Sequence, residues 1–165
     1  MQDFVRELQV RLKLADSNNL VGELSSELQP MHGESNDPLA MHGVKIVDFD
    51  IDTSTHELRI VLDRSVTPKW IQAFNQPSRW YSSLVAGDFH VSNSAARISI
   101  GPDASPMEVQ KASNCFKDYL QQANDSYRAL VQREAAEAER QRQEYVKDRI
   151  QSEKKRQEIL AILKL

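Results

Sequence analysis

From Pro106 to Leu165 the sequence contains no glycine and no second proline, the longest such stretch in the chain. Ser105-Pro106-Met107-Glu108 opens it as a helix start: Ser105 as N-cap, Pro106 where a missing N–H costs nothing, Glu108 at the capping-box position. A helix running from there to Leu165 has roughly 60 residues and a length of about 85–90 Å. A small domain measures only about 30 Å across. The sequence therefore predicts an arm that projects from its body and meets a partner.

The stretch divides into three parts. Met107, Val109, Ala112, Phe116, Leu120, Ala123 and Tyr127 form a broad apolar stripe, expected to cover a sheet. Arg133 to Glu158 is mostly Glu, Arg, Gln and Lys, all strong helix formers. Its apolar seam is thin, with Leu120, Val131, Arg142 and Glu153 eleven apart, a spacing that suits a nearly straight or slightly right-handed pairing. A sustained heptad seam of aliphatic residues is absent. Ile159, Leu160, Ile162, Leu163 and Leu165 then place five large aliphatics in seven residues. Leaving each exposed costs roughly 1.5–3 kcal/mol relative to burial, so they are the expected partner-binding residues. The partner is another subunit, another protein or the chain's own N-terminal segment. The competing arrangement turns the helix back near 130–140, where no Gly, Pro or Asn cluster supports a turn.

Upstream, residues 1–29 carry mixed signals. Phe4, Leu8, Leu12 and Ala15 recur at helical spacing, while Leu8, Val10, Leu12 and Leu14 alternate with polar residues as in a strand. The run of helix formers at the start favours a helix over 2–14. Asp16-Ser17-Asn18-Asn19 is a turn cluster or the cap of a second helix using Leu20, Val21, Leu24 and Leu28. Residues 30–43 have the composition of a linker, with Pro30, Gly33, Pro38 and Gly43 among polar residues. Met-His-Gly occurs twice there, too short to be a repeat.

Over 44–63, Val47, Phe49 and Ile51 alternate with Asp48, Asp50 and Asp52; beyond Thr53-Ser54-Thr55, Leu58, Ile60 and Leu62 alternate again. This predicts an antiparallel hairpin with one dry face and one wet face. Thr67-Pro68 starts a short helix carrying Trp70, Ile71 and Phe74, and Trp80, Tyr81, Leu84 and Val85 add a final turn or a second short helix. Phe89, Val91, Ile98 and Ile100 read as a second hairpin turning at Ser92-Asn93-Ser94. The fold class is thus α+β: a small four-stranded antiparallel sheet in ββαββα order, covered by helices, with a long C-terminal helix extending from the body. The expected divisions are an N-terminal helical segment 1–29, a linker 30–43, an α+β domain 44–130 and a charged helical extension 131–165.

Charge narrows the function classes. The net charge of −3 offers no global attraction to nucleic acid or an anionic membrane. Arg128 to Glu158 nevertheless holds nine Lys/Arg against seven Asp/Glu. Arg140, Arg142, Lys147, Arg149, Lys154, Lys155 and Arg156 are therefore the candidate nucleic-acid contacts, with interleaved acids weakening their field. No window is apolar enough for a membrane span, and Met1 to Glu7 lacks the pattern of a signal peptide. The cytoplasm is the expected location.

Chemical sites are weakly marked. Asp48, Asp50 and Asp52 share a strand face and could hold a hard cation, but Thr53 and Arg59 stand where a calcium loop needs glycine and an acid. His32 and His42, each next to a methionine, are candidate copper or nickel ligands, and read better as loop residues. His56 and His90 fall in or beside strands. Cys115, the sole cysteine, sits beside Phe116 and reads as a small core residue. No catalytic set, metal site or cofactor is expected. The sequence favours a non-enzymatic assembly or adaptor subunit acting through its long helix as a homo-oligomer or on a protein partner. A nucleic-acid-binding protein using the same helix is the alternative, and a small metal-dependent enzyme the third.

Overall fold

The computed structural model describes residues 2–28, 37–77 and 88–163. The chain packs as two units, Ser35–Arg133 and Met1–Glu34 with Glu134–Leu165.

The first, the sheet unit, is α+β. Strands β1 (Ile46–Asp52), β2 (Glu57–Leu62), β3 (His90–Ser92) and β4 (Ala95–Ser99) make one antiparallel sheet in the order β1-β2-β4-β3. Each hairpin closes on a residue with left-handed backbone, His56 (φ 54°) and Asn93 (φ 48°). Asp52 shapes the first turn, accepting from the Ser54 and Thr55 N–H groups at 2.8 and 3.2 Å. Leu58, Ile60 and Leu62 of β2 and Ala96 and Ile98 of β4 are buried on one face.

Helices cover that face. Helix α3 (Pro68–Asn75) begins at Thr67, whose Oγ1 accepts from Trp70 N–H at 3.2 Å. Helix α4 (Pro106–Ile162) begins with the capping box its sequence implies: Ser105 N–H donates to Glu108 Oε2 at 2.7 Å, and Glu108 N–H to Ser105 Oγ at 3.3 Å. Ala112, Cys115, Phe116, Tyr119, Leu120, Ala123 and Tyr127 of α4 are buried. Phe74 sits among rings, with centroids of Phe116 at 5.3 Å, Trp70 at 5.7 Å, Tyr119 at 6.3 Å and Phe89 at 6.4 Å. Trp80, Tyr81, Leu84 and Val85 lie outside the described residues.

Met107 is 78% exposed, contrary to the expected stripe. At about 100° per residue it lies roughly 140° from Ala112 around the helix, off the core face. The dry face expected of Val47, Phe49 and Ile51 is also incomplete, because these residues are 65, 38 and 48% exposed. Phe49 and Ile51 stand opposite Ile60 and Leu58, on the core side, but at the sheet's outer strand. Val47 falls in a register shift between Ile46 and Asp48, and Ile46 takes the inward position opposite Leu62.

Where the sequence has linker composition, Pro38–His42 forms the short helix α2. Asp37 caps it, accepting from Leu39 and Ala40 N–H, while Tyr127 Oη donates to its other oxygen at 2.7 Å. Leu39 and Ala40 join the core. Asn124 of α4 then clamps the chain: Val44 N–H donates to Oδ1 and Nδ2 donates to Val44 C=O, both at 2.9 Å, and Trp70 Nε1 donates to Oδ1 at 3.1 Å. Gly43 is needed beside it, with φ 67° and room for a Cβ only 3.0 Å from Asn124 Nδ2.

The second, helical unit pairs α1 (Gln2–Glu27) antiparallel with residues of α4 from Glu134 onward. Leu24, Val146 and Ile150 are buried together, with Leu20, Val21 and Leu28 against them. The 16–19 cluster neither turns nor caps; it is helix interior. Ser17 is 2% exposed and its Oγ donates to Glu153 Oε1, while Gln157 Nε2 donates to Asn18 Oδ1 at 3.0 Å. Its hydroxyl and amide thus bond to the neighbouring helix rather than to their own backbone, which removes the local reason for a turn. Residues 130–140 are helical throughout, with no turn among them. The α1-facing positions Val146, Ile150, Glu153 and Gln157 advance by four, three and four, a spacing the sequence hid because half of them are polar.

Candidate functional site

Of the aliphatic group at the end of the chain, Ile159 and Ile162 of α4 and Leu163 just after it are 54, 69 and 60% exposed. Leu160 is half-buried, and Leu165 lies outside the described residues. Leu160 continues the stripe of Glu153 and Gln157. At about 100° per residue, Ile159, Ile162 and Leu163 fall within an arc of roughly 100° to one side of it. Their spacing of three and four makes a single apolar helix face.

The basic residues of this unit are unequally free. Arg142 holds Glu139 with two charge-assisted bonds of 2.9 Å, and its Nη1 donates to Glu27 C=O at 2.6 Å at the end of α1. A carbonyl at a helix C-terminus is a natural acceptor for arginine. Arg156 bonds Glu153 at 3.2 Å. Arg149 lies over the Tyr145 ring, 5.9 Å from its centroid. Arg140, Lys147, Lys154 and Lys155 are exposed.

A second surface was not legible in advance. Between β1 and the start of α4 lies a groove of about 480 Å³, within the range of ligand-binding clefts. Phe49, Ile51 and Leu58 form its strand side; Ala104, Pro106, Val109, Gln110 and Ser113 form the rest. Lys117 Nζ stands 5.6 Å from the Phe49 ring centroid.

The ladder fixes which way the β1 backbone points. Leu62 N–H donates to Ser94 C=O and Ile100 N–H to His56 C=O, so alternate residues 58, 60 and 62 bond toward β4. Glu57, Arg59 and Val61 therefore bond toward β1, where their opposites are Asp52, Asp50 and Asp48. Phe49 and Ile51 are left with N–H and C=O directed away from the sheet. Asp48 Oδ1 accepts the Phe49 N–H at 2.8 Å. Among the described residues no strand lies beyond β1.

Asp48, Asp50 and Asp52 stand on the opposite face from Phe49 and Ile51, beside Val61, Arg59 and Glu57. The Ser54 hydroxyl, with the Ser54 and Thr55 N–H groups, holds the Asp52 carboxyl down at about 2. Asp52 is thus a turn residue. His42, His56 and His90 are exposed, His32 lies outside the described residues, and Cys115 is buried. Among the described residues no three His, Cys, Asp or Glu side chains come together to hold a metal ion. None of their helices is long and apolar enough to cross a membrane.

Comparison with known protein families, with curated proteins and with solved structures finds no match to this chain.

Proposed function

We propose that this protein is a non-enzymatic assembly or adaptor subunit, acting in the cytoplasm, whose long helix binds another subunit or protein through Ile159, Ile162 and Leu163. The observation that carries the reading is the exposure of these three side chains on one face at the end of α4, where Leu163 N–H still donates to Ile159 C=O at 3.2 Å. Three aliphatics at such spacing are the anchors of a helix that docks in a groove or against another helix. The mixed charges preceding them set orientation and partner choice rather than affinity. A nucleic-acid role has weaker support, since Arg142 and Arg156 are already bonded to Glu139 and Glu153.

Self-association is the form tested most directly. The wild type should sediment above its 18.8 kDa chain mass at high concentration. The triple substitution Ile159→Glu, Ile162→Glu, Leu163→Glu should return it to the monomer with unchanged helix content. Equal masses for the two proteins at every concentration would remove self-association through this face.

A further inference from the structure

We propose that the outer edge of β1 takes an extended peptide from a protein partner as an antiparallel fifth strand, and that this peptide alternates apolar residues with Lys or Arg. The inference concerns the sheet unit alone and does not depend on the helix face proposed above.

Three observations converge on it. Backbone groups of Phe49 and Ile51 point outward from the edge, and those of Ile51 have no strand beyond them among the described residues. An added strand would satisfy those of Ile51 and the Phe49 C=O by ordinary ladder bonds, and would take over the Phe49 N–H from Asp48 Oδ1. On the core side, Phe49 and Ile51 remain 38 and 48% exposed above an apolar groove of about 480 Å³. Every second side chain of the incoming strand would lie over that groove. On the other face, Asp48, Asp50 and Asp52 are exposed in a row. The intervening side chains of the incoming strand would stand directly beside these carboxylates, and opposite charges across a ladder are favourable.

The same row argues against a second copy of this chain. Any pairing of β1 with another β1 that keeps Phe49 and Ile51 on the groove side sets aspartates against aspartates. Acidic side chains and a bulge are also how edge strands repel unwanted pairing. In β1 they repel acidic and identical strands while leaving a basic one admitted.

The probe is a labelled peptide, Ser-Val-Lys-Val-Arg-Val-Lys-Ser, titrated with the full-length protein and read by fluorescence anisotropy. Binding should saturate at micromolar protein and weaken at high salt. Asp50→Lys, at an exposed position, should weaken it about fivefold. In an antiparallel ladder the valines stand opposite Phe49 and Ile51, so their N–H groups face β1. Methylating the valine nitrogens should abolish binding, whereas methylating the Lys and Arg nitrogens should leave it nearly intact. The Ile159→Glu, Ile162→Glu, Leu163→Glu protein should bind as the wild type does, which separates this edge from the helix face. No binding, equal binding of a peptide with Glu in place of Lys and Arg, or equal loss from both methylation patterns would overturn the proposal. So would an Asp50→Lys protein that binds unchanged, or binding lost with the helix-face substitutions.

Discussion

The two units of this chain are built by different means. The sheet unit buries twenty apolar side chains in one cluster among the described residues, organised around Phe74 and its ring neighbours. The helical unit's described core is Leu24, Val146 and Ile150, supported by the polar bonds of Ser17, Asn18 and Arg142. Apolar burial scales with area, whereas an ordinary hydrogen bond contributes only about 0.5–1.5 kcal/mol net. One chain thus holds a unit fixed by packing and another specified by a few polar contacts along a thin seam.

Paired truncations test that contrast most severely. Phe116→Ala removes a ring that is 0% exposed and in contact with Phe74 and Phe89, and should cost about 3–5 kcal/mol in urea unfolding followed by tryptophan fluorescence. Leu24→Ala should cost about 2–3 kcal/mol, because its half-buried neighbours can close over the gap. Its loss should appear as faster amide exchange in α1, with the tryptophan transition little moved. If Leu24→Ala shifts that transition as far as Phe116→Ala does, the two cores are not distinct.

Acid should also act on the sheet unit, to which Asp37, Asp52, Asp63 and Glu108 all belong. Partial burial pushes the Asp37 carboxyl up, but bonds from Tyr127 Oη and from Leu39 and Ala40 N–H prevail and hold it below its usual value. Asp63 is held down by Arg64, whose guanidinium bonds it at 2.7 and 3.0 Å, against a smaller opposing effect of burial. Carboxyls lowered on folding stabilise the native state above their unfolded pKa, and that contribution is lost as the pH falls through the folded value. Asp37→Asn should therefore melt below the wild type at pH 6, and the gap should close as the pH drops below about 4. A gap that stays constant to pH 2 would show that the charge of Asp37 does not matter and that what Asn lacks is the second oxygen, which accepts from Tyr127 Oη.

The sheet unit was largely legible because its signals are local. Alternation located both hairpins, and Thr67-Pro68 and Ser105-Pro106 located the starts of α3 and α4. Its long-range clamp was not legible: Asn124 looks like any polar residue on a helix until Val44 and Trp70 are brought to it. The edge of β1 was missed for a related reason. The alternation of Phe49 and Ile51 shows that they share a face, but whether a neighbouring strand or helix covers them depends on strand order. In the helical unit the reverse held, and local signals misled. Ser17, Asn18 and Asn19 are residues that compete with helix for backbone bonds, yet Ser17 and Asn18 are bonded to α4. The seam was hidden too, since Glu153 and Gln157 occupy positions where an aliphatic would have revealed it.

Gly22 offers the mildest test of how far the helical unit depends on those contacts. It lies in the interior of α1, and a Cβ built on it meets nothing within 4 Å. Its backbone is helical, so alanine fits without strain and narrows the unfolded ensemble. Gly22→Ala should thus stabilise α1 by roughly 0.5–1 kcal/mol without touching a side chain of α4. Slower amide exchange across α1, with the sheet unit's exchange unchanged, is the expected result. A gain of that size from one exposed methyl would be comparable to a single hydrogen bond such as that of Asn18 with Gln157. No effect on exchange would mean instead that α1 keeps its helix at Gly22 in the state from which its amides exchange, so that α1 parts from α4 before it unwinds.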